Sequence, residues 1–194
     1  MKRLIPLLIL VAIGGGAYYW YRSKTAPRVK VIPFAQLSQT EQKKRRAEAQ
    51  DVIRQIEGIA SASKKGEKKP FELVLTQDEV NTLVQDRLKT KNLPIANPRV
   101  GLEANELILE ADADYKNIKA PVSVVGTVEV QNDDVAFIVS SLTLGGFPAP
   151  GEWKQKVQRV VDDGLKKALS EKGKAKIESV TIGEGTMTLK GRTG

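Results

Sequence analysis

The stretch ELILEADADY at 106–115 alternates without a break. Leu107, Leu109, Ala111, Ala113 and Tyr115 fall on one side of an extended chain. Glu106, Ile108, Glu110, Asp112 and Asp114 fall on the other. A strand that is apolar on one side and mostly acidic on the other must be covered on one face only, the habit of antiparallel sheets. The next stretches extend the pattern. Val122, Val124, Gly126, Val128 and Val130 form a second stripe, QNDD at 131–134 reads as a turn, and VAFIVSSLTL at 135–144 returns with Phe137 in it. GGFPAPGEW ends the run. Near the C-terminus KIESVTI, then Gly183-Glu184-Gly185, then TMTLKG spell a hairpin.

Helical periodicity surrounds this block. Ser38 and Glu41 have capping-box spacing, and Ala49, Val52, Ile53, Ile56, Ile59 and Ala60 come after them at helical intervals, so a helix is expected from 38 to about 60. SASKKGEKK reads as a loop and FELVL at 71–75 as a short strand. Thr76 with Glu79 repeats the capping box before a helix with Val80, Leu83, Val84 and Leu88 on one face. KNLPIANP is a break. A third helix is expected over 152–171, with Trp153, Val157, Val160, Val161, Leu165 and Ala168 inward. Strands cluster instead of alternating one-to-one with helices. The fold class is therefore α+β, an antiparallel sheet packed against amphipathic helices.

Between Arg3 and Arg22 lie eighteen residues without a charge, near the lower limit for a helix that crosses a bilayer. Tyr18, Tyr19, Trp20 and Tyr21 gather at its far end, where amphipathic rings favour the headgroup level, with Arg22 and Lys24 just beyond. A cleaved signal peptide is the competing reading, with Gly15-Gly16-Ala17 as a small-residue site. Cleavage would leave four aromatic rings at a new N-terminus, which favours a retained anchor. Both readings export the rest of the chain. The expected organisation is an anchor or signal over 1–21, a basic linker over 22–37 and an exported domain over 38–194 with its core at 70–190. The N-terminus is placed inside because that flank is very short.

The formal charge of +8 is unevenly spread. Residues 1–30 hold six Lys/Arg and no Asp/Glu, residues 31–70 add +4, and residues 71–194 carry −2. Nucleic-acid binding needs a basic face on the domain itself, so no nucleic-acid partner is expected. Cations beside an apolar segment suit anionic headgroups. KKRR at 43–46 reads as a solvated helix face, with contact to anionic lipid as the sharper reading.

Catalytic chemistry finds little support. With neither histidine nor cysteine, the chain has no Ser-His-Asp triad, no thiolate and no zinc site of the usual kind. The row Glu106, Glu110, Asp112, Asp114 has donors for calcium but no ligand-spaced glycine loop, and a solvent-facing strand side explains it better. No phosphate loop is read, because Gly14-Gly15-Gly16 lies inside the apolar segment and LGGFPAPGEW lacks the lysine and the G-x-x-x-x-G-K spacing. No enzyme, cofactor or metal is expected.

Leu75-Thr76-Gln77-Asp78-Glu79-Val80-Asn81, then SSLTLGGFPAP with Gly145 and Pro148, then an amphipathic helix and a terminal hairpin, all behind an N-terminal anchor, resemble the YpmS-like family of bacterial membrane-anchored proteins. More distantly they resemble the YceB-like lipoproteins. Both are similar to tubular lipid-binding (TULIP) domains, in which a curved antiparallel sheet wraps a long helix. The resemblance covers about 70–190. The helix at 38–60 is longer than the family pattern, and the lipoprotein cysteine is absent. The resemblance implies a single-pass protein whose domain lies outside the cytoplasmic membrane and binds a membrane lipid or other amphiphile in an apolar groove. Leu107, Leu109, Ala111, Val122, Val124, Gly126, Val128 and Phe137 would line it, with small Gly126 leaving room. Tyr18, Tyr19, Trp20, Arg22 and Lys24 would sit at the interface. The same apolar residues would equally form a solid core, in which case the domain is an interaction module for an envelope protein partner.

Overall fold

The computed structural model describes residues 27–32, 34–88, 95–115, 118–131, 134–159 and 175–194. After a 3-10 turn at Phe34–Gln36 comes α1 (Gln39–Lys64), then β1 (Pro70–Thr76) and α2 (Gln77–Leu88). Next is a meander: β2 (Ile95–Glu103), β3 (Glu106–Tyr115), β4 (Ile118–Gln131), β5 (Asp134–Leu144) and the two-residue β6 (Phe147–Pro148). The third helix, α3, is described over 151–159, and β7 (Lys176–Gly183) and β8 (Thr186–Arg192) close the chain. The fold is α+β with antiparallel sheets.

The strands divide into two sheets, where a single curved one was expected. Five lie in the order β2-β3-β4-β5-β6 and three in the order β1-β8-β7. The smaller sheet joins distant parts of the chain, because β1 pairs along its length with β8, from Pro70↔Arg192 to Thr76↔Thr186. That pairing places Leu73 opposite Leu189 and Leu75 opposite Met187 on one apolar side. Val52 and Ile56 of α1 pack there, as do Val80 and Leu83 of α2. Ile182 of β7 extends the contact to Val100 and Leu102 of β2, so the two sheets share one core.

Both expected helix starts are present. Ser38 caps α1 and exchanges hydrogen bonds with Glu41. Thr76 and Glu79 do the same at α2, with Thr76 N donating to Glu79 Oε2 at 2.7 Å. α1 does not stop at Ala60. It runs on through Ser61-Ala62-Ser63 to Lys64, because Ser63 is buried at its end and Gly66, at φ 70°, makes the exit.

The second half of the break expected at KNLPIANP, residues 95–98, instead belongs to β2, and residues 91–94 lie outside the described residues. Pro98 is tolerated because it lies in the edge strand, beside the register irregularity between Ala96 and Arg99. Asn97 takes the left-handed turn there, at φ 49°. Trp153 is exposed, not inward, and the part of the expected 152–171 helix beyond 159 lies outside the described residues.

Candidate functional site

The five-stranded sheet presents two faces of different chemistry. On the first, cross-strand pairing lines up Val100 with Leu109, Leu107 with Gly126, Leu109 with Val124, and Ala111 with Val122. The row continues through Val124 with Leu142 and Val128 with Phe137. Period-two alternation therefore delivers all eight expected groove residues to one surface. Val124, Phe137, Val139 and Leu142 are buried together, and Leu107, Leu109, Val122 and Val128 pack around them half-buried. Val157 of α3 covers this surface from one side, and Val180, Ile182 and Met187 of the β7–β8 hairpin cover it from the other.

Gly126 does not leave room. A Cβ there would lie 2.7 Å from Phe137 Cζ and against the Ile138 carbonyl, at the bulge between β4 and β5. The Phe137 ring, 1 % exposed, already fills the space. Gly126→Leu would therefore strain packing before it altered any uptake, contrary to the expectation that a glycine here opens a groove.

The second face is not a bare acidic surface. Part of the stretch expected as a linker lies against it as a strap, through Arg28 and Val29. Val29 is 5 % exposed and sits on Gly101 and Ile108, and Ile108 is 0 % exposed despite its place in the acidic row. Burying a valine in this way contributes about 1.5–3 kcal/mol. Glu110 accepts the backbone N–H of Arg28 at 2.9 Å and of Val29 at 3.2 Å, and Arg99 faces it at 3.6 Å. The Arg28 guanidinium pairs with Glu103 and with Glu106, and the hydrogen bond to Glu103 is the main cause that raises its pKa further. Arg99 also reaches Asp112 at 3.5 Å. The carboxylates thus hold protein cations and amides, and among the described residues no cluster has the makings of a metal site. Phe34 and Leu37, buried farther along the strap, carry it to α1.

The residues of the recognised motif do structural work. Leu75 is buried, and Thr76 caps α2. Asn81, 2 % exposed, pairs its carboxamide with both backbone groups of Val100, at 2.8 Å from the N–H and 2.7 Å to the carbonyl. One turn away on each side, Gln77 accepts from Leu102 N at 2.8 Å and Gln85 donates to Pro98 O at 3.4 Å. Leu102 O accepts from Gly185 N. Every outward main-chain group from Pro98 to Leu102 is therefore satisfied, because proline has no N–H to lose. Gln158 of α3 repeats the device on β5, accepting from Val139 N at 2.8 Å and donating to Phe137 O. The Q-x-x-x-N-x-x-x-Q spacing of residues 77–85 was a sequence signal for this, a helical stripe of amides with no apolar partner.

Gly145, at φ 60°, turns the chain between β5 and β6 and donates its N–H to Pro121 O at 2.7 Å, while Pro148 lies opposite Thr143. KKRR is largely engaged within the fold: Lys44 pairs with Glu48, Arg45 with Asp78 at 3.0 Å, and Arg46 lies over the Phe34 ring. Tyr18, Tyr19, Trp20, Arg22 and Lys24 lie outside the described residues, as does the whole apolar segment. Among the described residues no helix is long and apolar enough to cross a membrane. No protein-family model matches the chain, and no curated protein matches it in sequence.

Proposed function

We propose that the protein is a membrane-tethered, non-enzymatic domain that holds a lipid or other amphiphile outside the bacterial cytoplasmic membrane. The occupant would lie on the apolar face of the five-stranded sheet, between α3 and the β7–β8 hairpin. The observation that carries this reading is the half-buried state of Leu107, Leu109, Val122 and Val128 between two covering elements. An apolar surface with a cover on each side, and no polar lining among these residues, suits an acyl chain. The YpmS-like and TULIP-like resemblance supports the same class. The charge-pinned strap supports tethering, since it fixes where the chain leaves the domain.

The test is native mass spectrometry of residues 27–194, prepared without detergent and followed by solvent extraction. The strap is kept because Val29 completes the second face. A lipid near one per chain is the expected result. A clean apo mass with no uptake from added vesicles would reject the reading.

The tight packing of Phe137, Val139 and Leu142 and the filled space at Gly126 favour a second reading, a solid-cored interaction module for an envelope protein. Cross-linking in intact cells that recovers one stoichiometric protein partner, with no lipid bound, is the outcome that reading requires.

A further inference from the structure

The folded domain has a basic end that the linear charge pattern hides. Lys64 and Lys65 finish α1, Lys68 and Lys69 lie in the loop after it, and Lys176 and Arg192 come from β7 and β8. Strand pairing brings them together, because Pro70, Arg192 and Lys176 are cross-strand neighbours. Thr193 locks the loop in place: its hydroxyl accepts from Lys69 N at 3.0 Å and donates to the Glu67 carbonyl, and its own N–H donates to Lys69 O. An open cleft of about 650 Å³ lies between them, lined by Lys68, Pro70, Lys176, Glu178, Arg192 and Thr193. Among the described residues, six exposed cations and two carboxylate side chains, Glu67 and Glu178, gather at this end. Glu67 pairs with Lys69 at 2.7 Å and is held below the usual carboxylate range by that contact, and Glu178 pairs with Arg192. The balance of charge at this end is strongly positive.

This end lies opposite the strap. Arg28 sits by Glu103 and Glu106 at the β2–β3 turn, and the Gly185 turn bonds Leu102 beside it. From Thr186 to Arg192, β8 then runs about 20 Å to the basic end.

We propose that this basic end docks on an anionic lipid surface. The cations are mostly lysines, compact charges spread over an end face instead of forked donors set around one ligand. The cleft lining holds no aromatic ring to stack a base, which argues against single-stranded nucleic acid. Several lysines at a headgroup layer add up to firm, salt-sensitive attachment. The side on which it docks rests on the tethered reading. At most ~20 Å of extended chain separates Arg22 from Arg28, so the strap end stays near the anchoring bilayer and the basic end faces a second one.

The full chain, placed in neutral phosphatidylcholine vesicles, is mixed with labelled vesicles of phosphatidylcholine alone or with ~30 mol % phosphatidylglycerol, and capture is read by co-flotation. The expected result is at least ~10-fold more capture of the anionic vesicles, falling as salt rises from ~0.05 to ~0.3 M. Combined Lys64→Gln, Lys65→Gln, Lys68→Gln and Lys69→Gln should abolish the difference, while arginine at the same four positions should keep it. Equal capture of neutral vesicles overturns the proposal, as does undiminished capture by the glutamine variant. Loss of capture to inorganic phosphate, beyond salt of the same ionic strength, also overturns it in favour of a small-anion site. Tethering is read separately, by whether the chain stays with its host vesicles after an alkaline wash. Release there would reject the anchor, and capture by anionic vesicles of the released chain would still test the basic end.

Discussion

The five-stranded sheet ends in two edges that are closed to different degrees. Along β2, α2 lays Gln77, Asn81 and Gln85 against Pro98–Leu102 and leaves no outward main-chain group unpaired. At the other side the two-residue β6 covers only Thr143 and Leu144 of β5. Along the uncovered part of β5, Gln158 of α3 serves Phe137 and Val139, and Lys154 reaches Ser140 O at 3.1 Å. Open edges invite pairing with other chains, and both seals prevent it by presenting a side-chain amide where a neighbouring strand would present a peptide. The difference is one of burial. Asn81 is nearly inaccessible, whereas Gln158 is half-buried on a helix whose first turns are exposed. The β2 edge belongs to the core, and the β5 edge is a latch.

If so, Asn81→Leu should have the largest effect. It strands the N–H and the carbonyl of Val100, buried groups with no water to turn to, and should cost about 3 kcal/mol in a urea titration. A loss under about 1 kcal/mol would mean that the amide seal is incidental. Gln158→Ala should cost about 1 kcal/mol and speed hydrogen exchange at Val139 while leaving Val100 unchanged. If both amides accelerate together, the two edges open as one unit and the contrast fails. Gln85→Ala removes the longest of these bonds, 3.4 Å, and should shift stability by less than about 0.5 kcal/mol.

Acid provides the smallest effect. Glu41 is held below its usual value of 4.5, chiefly by the Ser38 hydroxyl. Its folded pKa is depressed, so its stabilising share is present above pH 4.5 and is lost as pH falls through the lower folded value. Carboxamides do not titrate in that range. The protection factor at the first turn of α1, taken relative to the intrinsic exchange rate at each pH, should therefore fall with acid before that of the Val100 amide does.

Much of this architecture could be read from local patterns. Capping boxes at Ser38 and Thr76, period-two stripes in β3 and β4, and the Gly183-Glu184-Gly185 hairpin all fall where residue spacing puts them, because each depends on neighbours within a few positions. The features that escaped depend on distant partners. β2 was hidden by Pro98, whose missing N–H matters only once the strand is known to be an edge. The strap looked like a linker because Val29, Phe34 and Leu37 have no common period and are buried by separate surfaces. Glu110 looked like a solvent carboxylate because its partners, Arg28, Val29 and Arg99, come from other elements. For the candidate site, alternation gave the apolar face correctly. It could not reveal that the ring of Phe137 occupies the space beside Gly126, since that arises from a bulge in the pairing of β4 with β5.

The pairing of β1 with β8 has a consequence in time. β1 is made early, yet its strand partner in the small sheet lies more than a hundred residues later in the chain. Until β8 arrives, Leu73 and Leu75 lack Leu189 and Met187 across from them, and α1 has only half of its platform. On the tethered reading the chain must thread through a membrane pore, and it stays pliable for as long as its closing strand is missing. The order of strands would thus postpone closure of the small sheet until β8 has crossed.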